Sequence, residues 1–327
     1  VQLSEPTTNG HQCILCPWNC DLSIGEVGNC GVRRADETGV HLTAYGHITT
    51  IAVEPIEKKP IFHFYPGMKV LSAGGYGCNM KCGFCQNWSV SQRDRSGDSR
   101  IILPARLVQM AQERSCGAVC LTYNEPTIAI EYLLDLADQC HENDLLIILK
   151  TNGMVNPEPW EMIYQAVDAM NIDLKDSQGL EHFYSTTKVP FQFADIIRQN
   201  IIAAEYNTHL EISIPIYDDT DPEALAEDLL FFRTDIPIHL LKIFPANEWE
   251  DYSAVDDDVL VRCREEIMRM SPHVYLGNVF NRPECRTTTC PHCSRDIIHR
   301  KGLKVEILAE KDDVCNSNRC LLKQLNG

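Results

Sequence analysis

Gly75-Tyr-Gly-Cys-Asn-Met-Lys-Cys-Gly-Phe-Cys-Gln-Asn-Trp88 is the stretch on which the reading turns. Cys78, Cys82 and Cys85 stand in a Cys-x3-Cys-x2-Cys spacing directly after a strand-like run, Met68–Ala73. Three thiolates on one tight loop can grip three irons of a cubane and leave the fourth without a protein ligand. A catalytic metal centre keeps such a position open, whereas a structural one closes it. The flanking glycines let the backbone pass close to a bound group. A zinc loop short of its fourth ligand, or a set of buried free thiols, is the competing reading of the same three cysteines. Two features favour a cluster: an aromatic residue, Phe84, precedes the third cysteine, and polar strand ends follow at suitable intervals.

Working outward, residues 68–280 alternate strand and helix patterns. Apolar strand-length runs occur at Met68–Ala73, Ala118–Tyr123, Leu145–Leu149, Ala169–Leu174, Leu210–Ile216, His239–Phe244 and Val274–Leu276. Helical periodicity falls at Thr127–Cys140, Pro157–Tyr164, Phe193–Glu205 and Pro222–Arg233, the last opened by an Asp221 cap and a proline. This alternation predicts βα units on a parallel sheet. Gly74–Gly77, Asn124-Glu125, Thr151–Gly153 and Asp173–Lys175 sit just past strand ends, where parallel α/β folds bind ligands. The chain divides by texture into a cysteine-rich segment 1–67, with strand-like runs at Val40–Tyr45 and Ile48–Val53, the alternating region 68–280, and a cysteine-rich segment 281–327.

Composition narrows the function classes. The chain has 327 residues and a formal charge of -17, and its longest basic cluster is only Lys58-Lys59, so phosphate backbones and anionic membrane surfaces are poor partners. No run approaches the ~20 apolar residues that span a bilayer. Val1–Gly10 is polar and reads as no signal peptide, although the chain starts at Val1 rather than Met. Sixteen cysteines, most in Cys-x2-Cys or Cys-x3-Cys groups, suit metal ligation in a reducing, cytoplasmic compartment better than long-range disulfides.

Cys13, Cys16, Cys20 and Cys30 can close a tetrahedral zinc site or hold a second cluster. Cys290 and Cys293, followed by Cys315 and Cys320, look like a zinc-ribbon pair, with Cys285 as an extra candidate and a cluster as second choice. Cys116, Cys120, Cys140 and Cys263 fall inside expected strands and helices and read as small buried hydrophobes.

Taken together, Cys13–Cys20, Gly28–Arg33, Pro55–Pro60, the Cys78–Trp88 loop, Thr122–Pro126, Thr151–Gly153 and Asn171–Lys175 resemble the radical S-adenosylmethionine (SAM) enzymes. The similarity is to the branch holding pyruvate formate-lyase activating enzyme and the AmmeMemoRadiSam-type proteins. That resemblance implies a partial (β/α)6 TIM-like barrel with cysteine-rich extensions at both ends. It implies a [4Fe-4S] cluster on Cys78, Cys82 and Cys85, whose open iron binds SAM and reduces it to a 5′-deoxyadenosyl radical that takes hydrogen from substrate. It gives Glu125 the methionyl amino group, and places Thr151 and Asp173 around the SAM carboxylate. In formate-lyase activases a monovalent cation helps there, but Lys150 stands where those enzymes carry an acid. Lys175 either faces substrate or is a solvated strand-end lysine. A flavodoxin- or ferredoxin-type donor is implied. The substrate class stays open between a peptide or protein, a small molecule, and a glycyl radical enzyme awaiting activation. The reading from a different class is a non-catalytic, cysteine-rich metal-binding protein.

Overall fold

The computed structural model describes residues 3–92, 96–175, 180–279 and 281–308. Its centre is an eight-stranded sheet. β1 (Thr50–Pro55) lies antiparallel at one edge against β2 (Lys69–Gly74). β3 (Ala118–Leu121), β4 (Leu146–Thr151), β5 (Ala169–Asp173), β6 (His209–Ile216), β7 (Ile238–Lys242) and β8 (Val274–Gly277) follow in chain order, each parallel to the one before. The connections carry α1 (Pro104–Glu113), α2 (Ile130–His141), α3 (Pro157–Ala166), α4 (Leu180–Thr187), α5 (Ala194–Ala204), α6 (Pro222–Leu229) and α7 (Asp257–Ile267). A strand order that never reverses, with the one crossover sense that parallel strands favour, puts every helix on the same face and curls the sheet inside them. Among the described residues β1 and β8 do not pair, so the result is a partial barrel. It has seven parallel strands, one more than the six-unit expectation. All seven expected runs are strands, and the run at 48–53, grouped by texture with the N-terminal segment, belongs to the main sheet. No helix among the described residues is long and apolar enough to cross a membrane.

Strand alternation divides the core in two. Leu71, Val119, Leu121, Ile147, Leu149, Met170 and Ile172 point outward and bury against Leu133 and Leu136 of α2, Trp160 of α3, and Ile197 and Ile201 of α5. Val70, Ala118, Cys120, Ile148 and Ala169 point inward, where Ile56 and Ile61 cover them. The segment Pro55–Phe64 therefore plugs the barrel. Glu54 ties that plug down by pairing with Lys58 and Lys59, and it also accepts from the Tyr123 hydroxyl at 2.8 Å.

At the end of the barrel where the strands begin, Glu211 of β6 is fully buried. It accepts from the backbone N–H of Phe62 at 2.8 and 2.9 Å and of His63 at 2.7 Å, and from the imidazoles of His209 at 3.0 Å and His239 at 2.6 Å. The C-terminal segment docks here. Its antiparallel strands Thr288–Thr289, Asp296–Lys301 and Lys304–Ile307 deliver Arg300, which donates to Phe62 O and Thr288 Oγ1, both at 2.7 Å. The N-terminal segment forms another small antiparallel sheet (Ser4–Pro6, Gly10–Cys13, Asp21–Ser23) at the opposite end, described below.

Burial alone would raise the Glu211 pKa, but the hydrogen bonds from His209 and His239 outweigh it and hold the carboxyl well below its ordinary 4.5. Its stabilisation is thus present above the unfolded-state pKa and lost as pH falls through and below 4.5. Glu211→Ala strands these donors and is expected to cost about 3 kcal/mol or more in urea unfolding at neutral pH. The gap between wild type and variant should narrow as the unfolding series moves into acid. An unchanged gap would mean that the charge of Glu211 does not matter.

Candidate active site

The polar strand ends meet where the parallel strands finish. The three-cysteine loop leaves β2 there, and Gly77 is its pivot. Its φ of +86° suits glycine, and a Cβ would lie 2.6 Å from the carbonyl oxygen of Cys30. Asn124, just past β3, holds the start of the loop by accepting from Gly75 N at 3.1 Å and donating to Tyr76 O and Gly77 O, both at 3.2 Å. Tyr123 is forced to a φ of +74°, unusual for an aromatic residue, and this turns the chain so that Asn124 and Glu125 follow the strand.

Cys82 and Cys85 lie close enough to raise the pKa of Cys78, and Cys85 close enough to raise that of Cys82. Burial is the larger cause: it pushes Cys82 to about 12 and Cys78 well above its ordinary value. Each sulfur has a nearby polar partner. Met80 N–H lies 3.4 Å from the Cys78 sulfur, Ser91 Oγ lies 3.4 Å from that of Cys85, and the Lys175 ammonium favours the Cys82 thiolate. Phe84 is buried beneath the loop, 5.6 Å ring to ring from Trp249 and 5.8 Å from Tyr217. Gly83 leaves room for that packing, since a Cβ would come within 2.8 Å of Trp249 Nε1.

Glu125 and Thr151 are in direct contact. Glu125 Oε1 accepts from Thr151 Oγ1 at 2.7 Å, Thr127 Oγ1 at 2.8 Å and Thr127 N at 3.1 Å; Oε2 accepts from Asn152 N at 2.8 Å. The carboxylate therefore caps the short helix Pro126–Ala129 while bridging to the end of β4. It is buried, and that burial raises its pKa against the pull of these donors. Most of its accepting capacity is spent inside the protein. Asn152 continues the chain of contacts, donating to Asn79 Oδ1 at 2.8 Å, and Asn79 donates to Met154 O at 2.9 Å. Asn79 lies in the quoted loop but carries no charge or thiol to mark it in the sequence.

Asp173, ending β5, is partly buried between two lysines: Lys175 at 2.8 Å and Lys150 from β4, which also reaches Asn171. Burial would raise the Asp173 pKa, but the two ammoniums bring it down to about 2. Lys150 thus places its own charge against Asp173. Two ammoniums on one carboxylate leave a net positive charge beside the sulfurs of Cys78 and Cys82, which Lys175 feels.

Residues 74–227 match the radical SAM superfamily. Over 313 residues the chain is 30% identical to an uncharacterised protein of Methanocaldococcus jannaschii, covering 92% of this chain and 90% of that one. The chain belongs to the radical SAM superfamily. Members are enzymes that catalyse radical reactions, and this chain is one of them. It is also 23% identical over 185 residues to the 4-hydroxyphenylacetate decarboxylase activating enzyme of Clostridioides difficile, covering 51% of this chain and 57% of that enzyme. SuiB of Streptococcus suis, crystallised with S-adenosylmethionine, superposes with a TM-score of 0.51 at 16% identity, over 70% of this chain and 54% of SuiB. That likeness is one of fold. The chain spans little more than half the length of the latter two.

Radical SAM chemistry uses a [4Fe-4S] cluster and SAM, and the three-cysteine loop fits such a group. Its three thiols lie on one short loop, the Met80 N–H and the Lys175 ammonium favour thiolates on Cys78 and Cys82, and burial leaves those charges to be offset by a cation. Among the described residues, however, no three His, Cys, Asp or Glu side chains stand ready-arranged to hold a metal ion. The other cysteine groups separate spatially. Cys13, Cys16 and Cys30 are buried and Cys20 is half-buried, beside the three-cysteine loop. Cys290 is buried and Cys293 exposed, in the C-terminal segment at the far end of the barrel, while Cys315 and Cys320 lie outside the described residues. Cys116, Cys140, Cys263 and Cys285 belong to the outer core and Cys120 to the inner.

Glu125→Gln swaps one accepting oxygen for an amide that must face either the Asn152 N–H or the threonine donors. The expected loss is about 1–3 kcal/mol in urea unfolding, with iron uptake by the reconstituted protein near wild type. Unchanged stability would show that the bridge between the ends of β3 and β4 carries no weight.

Proposed function

We propose that this radical SAM enzyme cleaves SAM reductively and functionalises a C–H bond of a peptide or protein, with a flavodoxin- or ferredoxin-type protein as electron donor. The observation that carries the reading is the placement of the Cys78–Cys85 thiols and the Lys150–Asp173–Lys175 charges on one rim of one parallel sheet. Cys78, Cys82 and Cys85 would hold the cluster. When bound, that cluster and SAM supply a one-electron cleavage of the sulfonium and a 5′-deoxyadenosyl radical that abstracts hydrogen.

The chain's own residues do the rest. Lys175 offers an ammonium near the sulfurs to which the methionyl carboxylate can pair, and Asp173 holds that ammonium in place. Glu125 and Thr151 lock the loops after β3 and β4, so they position the methionyl end more than they contact it. Phe84, Tyr217 and Trp249 wall the site with aromatic surface that excludes water. Cys13, Cys16, Cys20 and Cys30 would hold a separate metal. The likeness to an activating enzyme supports a second substrate reading, in which the hydrogen donor is the glycine of a glycyl radical enzyme.

Anaerobic reconstitution followed by SAM and dithionite tests the proposal. Wild type is expected to release 5′-deoxyadenosine, and the variant with Ala at Cys78, Cys82 and Cys85 none. Cleavage surviving in that variant overturns the assignment. Lys175→Met should take up iron normally but bind SAM about tenfold or more weakly, the loss of one charge-assisted bond. Equal affinity in an equilibrium titration would return Lys175 to a purely structural role.

A further inference from the structure

The N-terminal cysteines do not sit apart from the active site. Their segment is stitched to all sides of the three-cysteine loop. The Cys30 carbonyl accepts from Cys78 N at 3.2 Å. The Trp18 indole donates to Asn79 O at 2.8 Å. Asn156, past β4, donates from its backbone to Leu15 O at 3.0 Å and from its side chain to Ile14 O at 2.8 Å and Asn19 Oδ1 at 3.0 Å. Arg33 donates to Ile128 O at 2.9 Å and pairs with Glu131 of α2 at 2.6 Å. Residues 13–33 thus grip the three-cysteine loop, the end of β4 and the start of α2 at once.

Backbone donors and a buried guanidinium surround the sulfurs of the same segment. Cys16, Cys20 and Cys30 each lie close enough to Cys13 to feel its charge. Backbone N–H groups point at them: Trp18 at Cys16, Asn29 at Cys20, and Val32 and Arg33 at Cys30. Arg33 is 1% exposed, its charge reaches Cys13 and Cys30, and its Nε is buried with no partner among the described residues. An orphaned cationic donor buried beside Cys13 and Cys30 is explained if those thiols become anionic on a metal. Four sulfurs fill every position of a tetrahedral site, which suits zinc and leaves no place for substrate.

We propose that Cys13, Cys16, Cys20 and Cys30 bind one zinc ion and that the zinc-bound segment is the brace holding the three-cysteine loop in its cluster-binding shape. This rests on the reading of Cys78, Cys82 and Cys85 as cluster ligands. Without zinc the four cysteines are no longer tied together, so the carbonyl of Cys30 and the indole of Trp18 lose their fixed positions and the loop loses two of its anchors.

Metal analysis and iron-release kinetics on the full chain test this. With Cys78, Cys82 and Cys85 changed to Ala and no iron added, the protein should carry about one zinc ion at the N-terminal site, lost on adding Cys16→Ser. Iron in place of that zinc, or zinc unaffected by Cys16→Ser, overturns the zinc assignment. In the native loop background, Trp18→Phe removes an anchor but no ligand. It should keep its zinc and its fold by circular dichroism, yet surrender iron to a ferrous chelator severalfold faster than wild type after reconstitution. A wild-type release rate in folded, zinc-loaded Trp18→Phe overturns the brace. A wild type that takes up no iron at all would instead overturn the reading of Cys78–Cys85, with the zinc result still standing.

Discussion

A carboxylate taken into a protein interior costs several kcal/mol unless donors surround it, and Glu125 meets that demand with groups from two different loops. Thr127 comes from its own turn, and Thr151 and Asn152 come from the end of the next strand. The loops after β3 and β4 then have one low-energy arrangement. Because Asn152 is fixed by Glu125, its side-chain amide is fixed on Asn79, and Asn79 sits inside the three-cysteine loop. Asn124 acts on the same loop from the other side. The shape of the rim follows from satisfying one buried charge.

The far end of the barrel uses the same device with the opposite electrostatic result. Glu211 draws in the Phe62 and His63 backbone and two imidazoles, and its charge is fully met. Glu125 has nearly as many donors, yet its pKa is raised, because burial there outweighs the donors from Asn152, Thr151 and Thr127. Glu211 therefore serves as a charged anchor for the plug, whereas Glu125 bridges two loops at a place where burial works against its charge. One end of the barrel is closed by a loop and the C-terminal segment. The other keeps its charges partly open to solvent.

The architecture was legible in the sequence because strand-length apolar runs and helix periodicity are local signals. Every run from Met68 to Leu276 became a strand of the parallel sheet, and the three-cysteine loop follows the first of them. Two helices that the sequence reading did not name carried local signals: Asp256 caps α7, whose Val259, Leu260, Cys263 and Ile267 follow helical spacing, and α1 buries Leu107, Val108 and Ala111. The site was less legible because its bonds are long-range. An acid after a strand looks the same whether it faces a ligand or, as Glu125 does, a threonine 26 positions away. Glu211 hides in an apolar run, and its partner Phe62 is 149 residues distant. Texture alone also separated residues 13–33 from the barrel, although backbone carbonyls and an indole bind them to it.

Electrostatics on the rim run against the charge of the whole chain. The protein carries -17 overall, and at long range, beyond a Debye length of ~8 Å, that field is largely screened. Within the site the local balance governs. Lys150 and Lys175 share one carboxylate, so one positive charge is left over beside thiols that can serve as metal ligands only by losing protons. That excess lowers the cost of a thiolate on Cys82 and offers an anionic group a place to pair, while the same two lysines keep Asp173 ionised. Neutralising either lysine removes the excess, and neutralising Asp173 sets two ammoniums against each other. The three side chains are therefore one electrostatic unit, and it works only with all three charged.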